Sequence, residues 1–151
     1  MNIAIVGATG NVGRKILEVL EKKELAIDNL YLLASSRSAG SKINFNGNEH
    51  EVIDLETFDF SKVKITFFAA GGKISENFAE IAAKHSLVID NSIFIRMDPN
   101  VTLIVPQVNS DHLNNIKKNI IANPNCSTAQ LLIALKPLHD LITIKRIVVS
   151  T

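Results

Sequence analysis

The chain has 151 residues, 46% of them hydrophobic and 21% charged, and its 16 basic and 15 acidic residues leave a net charge of +1. That balance excludes a disordered chain, a basic nucleic-acid surface and an acidic partner surface, and the length suffices for one domain with a real core. One cysteine cannot form an internal disulfide, and neither a signal-peptide pattern nor a bilayer-spanning apolar run is present, so a protein of the reducing cytoplasm with no membrane association is expected.

Ile3 to Val6 is a short apolar run, as expected for a strand buried on both faces. Gly7-Ala8-Thr9-Gly10-Asn11-Val12-Gly13 follows, and then a helical stretch from Arg14 to Lys23 with Ile16, Leu17, Val19 and Leu20 on one side. Leu30 to Ala34 reads as a second strand, leading into the polar loop Ser35-Ser36-Arg37-Ser38-Ala39-Gly40-Ser41. Residues 42–55 read as an irregular β segment around the turn signal Asn46-Gly47. Ile65 to Ala70 is a third strand, closed by Gly71-Gly72, and Ile74 to His85 is a helix with Phe78, Ile81 and Ala82 as its apolar face. Leu87 to Ile89 is a fourth strand, ending in Asp90-Asn91-Ser92; Leu103 to Val105 is a fifth. A helix is expected over Asp111 to Lys118, a sixth strand over Asn119 to Ala122, a helix over Ala129 to Leu138 and a further strand over Ile144 to Val149.

This alternation predicts an α/β fold: a Rossmann-like, doubly wound, mostly parallel sheet with helices on both faces and right-handed crossovers. Ligands of such sheets bind at the carboxyl ends of the strands. Five polar segments fall there: Gly7 to Gly13, Ser35 to Ser38, Ala70 to Gly72, Asp90 to Ser92 and Asn123 to Cys126.

Gly7, Gly10 and Gly13 have the Gly-x-x-Gly-x-x-Gly spacing in a strand-turn-helix context. Glycines there let the backbone turn tightly and approach a pyrophosphate at a helix N-terminus. An NAD site commonly places a carboxylate at the end of the second strand to take the ribose 2′-hydroxyl; this one ends in Ser35-Ser36-Arg37-Ser38. A guanidinium and hydroxyls complement a 2′-phosphate, so NADP(H) is expected over NAD. The sole cysteine, Cys126, lies in Asn123-Pro124-Asn125-Cys126-Ser127-Thr128 between a strand and a helix, where backbone N–H groups and the helix dipole favour the nucleophilic form of a thiol. A lone cysteine is otherwise most often a small buried hydrophobe.

These segments, with Arg96-Met97-Asp98, Val105-Pro106 and Val108-Asn109, resemble aspartate-β-semialdehyde dehydrogenase in order and spacing across nearly the whole chain. The resemblance implies NADPH-dependent reductive dephosphorylation of L-aspartyl 4-phosphate to aspartate semialdehyde through a cysteine thioester. This is a step toward lysine (through diaminopimelate), methionine, threonine and isoleucine. It implies Cys126 as nucleophile, with Arg96 and Asn125 holding the substrate phosphate. Thr9, Gly10, Asn11 and Val12 would cradle the cofactor pyrophosphate and Arg37 and Ser38 its 2′-phosphate, with Gly7, Ala70 and Gly71 also binding the cofactor; no metal is implied. The chain departs from the family pattern at Ile93-Phe94-Ile95, where small residues are usual, at Gln107 in place of glutamate, and at Lys73 in place of serine.

The resemblance further implies a second domain carrying a glutamine, a histidine acid/base and a carboxylate-binding arginine, and a homodimer or homotetramer. Residues 1–130 are then expected to be the NADP-binding domain, and 131–151 a helix and first strand leading into the rest. These residues alone are expected to be inactive. The other readings are a stand-alone, non-catalytic NADP-binding module and a subunit completed by a partner chain.

Overall fold

The computed structural model describes residues 1–150. Eight strands form one sheet: β1 (Asn2–Val6), β2 (Asn29–Ala34), β3 (Lys42–Phe45), β4 (Asn48–Asp54), β5 (Ile65–Phe68), β6 (Leu87–Asp90), β7 (Thr102–Leu103) and β8 (Ile120–Ala122). The helices are α1 (Asn11–Lys22), α2 (Gly72–Ala83), the single turn α3 (Pro106–Asn109) and α4 (Cys126–Ile142). The strand order is β3-β4-β2-β1-β5-β6-β8-β7. Every pairing is parallel except β3 with β4.

That one antiparallel pair follows from its turn. Asn46 (φ 49°) and Gly47 (φ 78°) are both left-handed, the geometry of a two-residue hairpin whose twist matches that of the strands. The stretch expected to be irregular is thus a regular hairpin, and β4 joins the main sheet beside β2 with Leu32 opposite Val52. Its carboxyl end therefore lies on the same edge as the other ligand-facing loops.

Two cores flank the sheet. On one face Ala4, Val6, Leu33, Phe68 and Val88 pack against Ala79, Ala82 and Ala83 of α2. Small side chains on that helix let its backbone lie close to the strands. On the other face Ile5, Leu32, Ala34 and Val52 pack against Leu17 and Leu20 of α1. Burying a side chain the size of Phe68 or Leu32 is worth about 1.5–3 kcal/mol, so these period-2 rows hold the sheet in register.

The second face is covered only in part. Along β5 and β6, Thr66, Phe68, Val88 and Asp90 are buried, whereas their neighbours Ile65, Phe67, Leu87 and Ile89 are half-buried. No α4 side chain is buried either, and Leu141 and Ile142 are 81% and 74% exposed.

The observed elements depart from expectation in three further respects. Residues 144–149 form no strand among the described residues: they pair with no ladder, and an isolated extended segment has nothing to satisfy its backbone groups. The helix expected over Asp111 to Lys118 is a 3₁₀ stretch, Ser110–Asn115, because only Leu113 and Ile116 could anchor it and Asn119 turns left-handed (φ 53°). The helices α1, α2 and α4 start two to three residues earlier than their apolar periodicity suggests. Their first turns include Asn11, Gly13, Gly72, Lys73, Ser127 and Thr128, which carry no apolar periodicity.

Candidate active site

The strand order reverses between β1 and β5: the chain runs outward from β1 through β2 to β4, then returns to β5 on the other side. The connections leaving β1 and β5 therefore run to opposite sides of the sheet, and a crevice opens beyond the point where the two loops meet. Gly7 leaves β1 in the left-handed region (φ 84°), its N–H held by Leu33 O at 2.8 Å. A Cβ at Gly7 would lie 2.9 Å from Ala70 Cβ, so the loops after β1 and β5 touch at this point.

Gly10 is the N-cap of α1 and has no side chain to cap with, so the first-turn amides from Asn11 onward stay open to an anion. Gly13 is buried against the turn. Thr9 is half-buried; Asn11 and Val12 are exposed. Arg14, which the sequence reading did not single out, folds back so that Nε donates to Thr9 O at 3.1 Å.

The crevice is a cleft of about 400 Å³ whose lining includes Gly7, Thr9, Gly10, Arg37, Ser38 and Ala70. Arg37 is exposed and makes no ion pair among the described residues. Ser38 is half-buried in a turn closed by its own N–H to Ser35 O at 2.8 Å. Gly71 is left-handed (φ 88°) and caps α2, with open space where a side chain would be.

Two further lining residues are Asp54, the last residue of β4, and Glu56, in the 3₁₀ turn Leu55–Thr57 that follows it. Asp54 Oδ1 accepts the Glu56 amide at 3.1 Å. The signal for them lay in Asn46-Gly47: a regular hairpin there brings the end of β4 to the cleft.

The cysteine segment lies at the same edge, three strands from β1 across β5 and β6, or about 14 Å at the usual strand spacing. Cys126 is the first residue of α4 and is exposed. Asn125 is the N-cap: its Oδ1 accepts from Ser127 N at 2.9 Å and from Ser127 Oγ at 2.7 Å. Arg96 is half-buried beside this turn. Its Nε donates to Asn123 O at 2.9 Å and its Nη2 to Asn91 O at 2.8 Å, leaving Nη1 free of these bonds. Arg96 and the Asn123 to Cys126 turn are thus brought together from segments 27 residues apart.

The Ile93-Phe94-Ile95 stretch is accommodated by sending Ile95 into the core at 5% exposure, while Ile93 stays 75% exposed. Below this loop, Lys118 bridges Glu80 and Asp98 at 3.2 and 3.0 Å. The Asn100 amide, aided by Lys118, holds the Asp98 carboxyl below its ordinary range.

None of the four histidines completes the cysteine site. No histidine hydrogen-bonds to Cys126 among the described residues. His139 is on the same helix, 13 residues on, which is about 20 Å at the helical rise.

The family model described as "Semialdehyde dehydrogenase, NAD binding domain" matches residues 2–116. Among curated relatives, aspartate-semialdehyde dehydrogenase 2 of Vibrio cholerae is 49% identical over 152 aligned residues, covering 99% of this chain and 45% of the relative. Aspartate-semialdehyde dehydrogenase of Aquifex aeolicus is 50% identical with the same coverage. A crystal structure of aspartate semialdehyde dehydrogenase II from Vibrio cholerae, complexed with ASA, superposes with a TM-score of 0.94 at 49% identity, covering 96% of this chain and 48% of that one. The Candida albicans enzyme solved with NADP superposes at 0.76 with 26% identity, covering 95% of this chain and 48% of that one. The chain spans about half the length of the curated relatives it matches. With the glycine turn, the cleft and the cysteine turn all on one sheet edge, the chain belongs to the semialdehyde dehydrogenase family and carries its NAD-binding domain.

Proposed function

We propose that this chain supplies the cofactor cleft and the nucleophile for NADPH-dependent reductive dephosphorylation of L-aspartyl 4-phosphate to aspartate semialdehyde. The observation that carries this reading is Arg96 held against the cysteine turn, on the same sheet edge as the glycine-turn cleft. Relatives named for this activity, one solved with ASA and one with NADP, support it.

The residues fit a dinucleotide. Gly7 and Gly13 let the turn close on itself and on the Ala69-Ala70 segment, and the open amides of α1 meet the charge of an incoming pyrophosphate. Arg37 and Ser38 would take the 2′-phosphate, and Ala70 and Gly71 would give the rest of the cofactor a surface without bulk. When bound, the reduced nicotinamide supplies a hydride.

At the other end, Arg96 and Asn125 hold the acyl phosphate, and the Cys126 thiolate attacks its carbonyl carbon. The C–O bond to phosphate breaks, inorganic phosphate leaves, and an acyl thioester remains on Sγ. Cys126 lies exposed at the N-terminus of α4, where an incoming acyl carbon can reach Sγ. After reduction and uptake of one proton, the C–S bond breaks, releasing the aldehyde and restoring the thiol.

The acid/base and the carboxylate-binding arginine are assigned to sequence beyond these residues. In this reading the whole protein is a cytoplasmic biosynthetic homodimer or homotetramer, and residues 1–151 alone do not turn over. General acid/base catalysis contributes about 10²–10⁴-fold, so losing it leaves activity near background. An assay of NADP-dependent, phosphate-requiring oxidation of aspartate semialdehyde tests this. Activity abolished in Cys126→Ala would refute the inactivity claim and point to a histidine of this chain as acid/base.

A further inference from the structure

Asp90, the last residue of β6, has no exposed surface. Its Oδ1 accepts the Ser92 amide, and its Oδ2 is buried without a hydrogen-bond partner among the described residues. No cation pairs with it among them. Asp90 occupies the same face as Val88, where an apolar side chain would pack without any desolvation cost. Core stability therefore gives no reason for a carboxylate here.

Its hydrogen bonds give one. The Ser92 amide opens a tight turn in which Phe94 N donates to Ser92 Oγ at 3.3 Å and Arg96 N to Ile93 O at 3.4 Å. That turn delivers Arg96 to Asn91 O and Asn123 O. The other side of the seat is tied to the same residue: Asn123 N donates to Asp90 O at 2.8 Å, and Asn123 Nδ2 to Asn91 Oδ1 at 2.7 Å. Asp90 thus holds the turn with its side chain and the Asn123 carbonyl's strand end with its backbone. Only the side-chain bond can be removed by substitution.

We propose that Asp90 is a positioning residue whose carboxylate fixes the 92–96 turn, so that the Arg96 guanidinium is seated at the anion site beside Cys126. The role assigned to that guanidinium rests on the function proposed above. Asp90 itself touches no substrate atom. A hydrogen-bond acceptor of the right shape, rather than a charge, is what the Ser92 amide requires, so asparagine should serve where alanine cannot.

The test uses NMR of this chain with two titrants, inorganic phosphate and 2′,5′-ADP, and two variants, Asp90→Ala and Asp90→Asn. In the unsubstituted chain the Arg96 Nε–H signal should be resolved and slow to exchange, because Asn123 O holds it. Asp90→Ala should lose that slow exchange and weaken inorganic phosphate binding, followed by shifts at Arg96, Asn125 and Cys126, on the order of 10- to 100-fold. Affinity for 2′,5′-ADP in the distant cleft should not change, and Asp90→Asn should restore both readouts. An unchanged Arg96 signal in Asp90→Ala overturns the proposal, as does equal damage from Asn and Ala. So does loss of the folded spectrum in both variants, which would make Asp90 a core requirement. If phosphate shifts nothing in the unsubstituted chain while the Arg96 signal still depends on Asp90, the positioning role stands and the phosphate-holding function of Arg96 fails.

Discussion

Gly13 packs on Gly7 so closely that a Cβ added at residue 13 would lie 2.2 Å from the Gly7 carbonyl oxygen and 2.8 Å from Ala8 Cα. Both neighbours are backbone, so neither can rotate away. The turn must open, and opening it moves the amides that face the cleft.

Gly13→Ala is accordingly expected to destabilise the chain even though alanine improves helix propensity by about 1 kcal/mol. Overpacking against backbone should outweigh that gain, for a net loss of about 1–3 kcal/mol in urea unfolding. Binding of NADPH should weaken with it. Gly40→Ala is the control: Gly40 is also left-handed (φ 81°) but faces open space, so only the backbone strain of about 1–2 kcal/mol applies and binding is kept. A Gly13→Ala chain as stable as its parent would contradict the close-packed turn.

Arg37→Ala should weaken NADPH binding by roughly 10- to 100-fold, the usual worth of a charge-assisted hydrogen bond to phosphate. NADH binding should be nearly unchanged, since it lacks the 2′-phosphate. Calorimetric titration of both cofactors measures this, and an equal loss for the two would remove Arg37 from the 2′-phosphate site.

Glu56 lines the same cleft as Arg37. A carboxylate there opposes the charge of a 2′-phosphate, so Glu56→Gln should tighten NADPH by a few-fold, and the gain should shrink as salt rises. Weaker binding in this variant would mean that Glu56 contacts the cofactor directly.

The Asp98 carboxyl is held below its ordinary value by the Asn100 amide and by Lys118. A carboxyl group lowered in the folded state adds stability above its unfolded pKa of about 3.9 and loses it as pH falls through the lower folded value. Asp98→Asn should therefore lower stability modestly at pH 7 and converge with the parent below the folded pKa, so that its acid limb is flatter. An acid limb of unchanged slope in urea titrations would show that the Asn100 and Lys118 contacts do not persist in solution.

Much of the architecture was legible because parallel strands buried on both faces leave continuous apolar runs, as in Ile3 to Val6 and Leu30 to Ala34. Glycine spacing marked the cleft because only a residue without a Cβ fits against Gly7. What the sequence hid were contacts between segments far apart in the chain. Asp54 and Glu56 reach the cleft only once the Asn46-Gly47 hairpin pairs β4 with β2. Arg96 has no periodicity to mark it and was read from family resemblance; its seat is made of two carbonyls on separate loops. The strand expected over residues 144–149 failed for a related reason: apolar, β-branched residues favour a strand only where a partner strand is present.

Cys126 as nucleophile is the central claim, and a single-turnover acylation tests it most directly. The chain is mixed with L-aspartyl 4-phosphate, released phosphate is counted, and the protein is mapped by mass spectrometry. One acyl group on Cys126 should appear with one equivalent of phosphate released, without further turnover, and Cys126→Ser should give no thioester. Phosphate release without an acyl adduct on Cys126, or at the same rate in Cys126→Ser, would contradict the account.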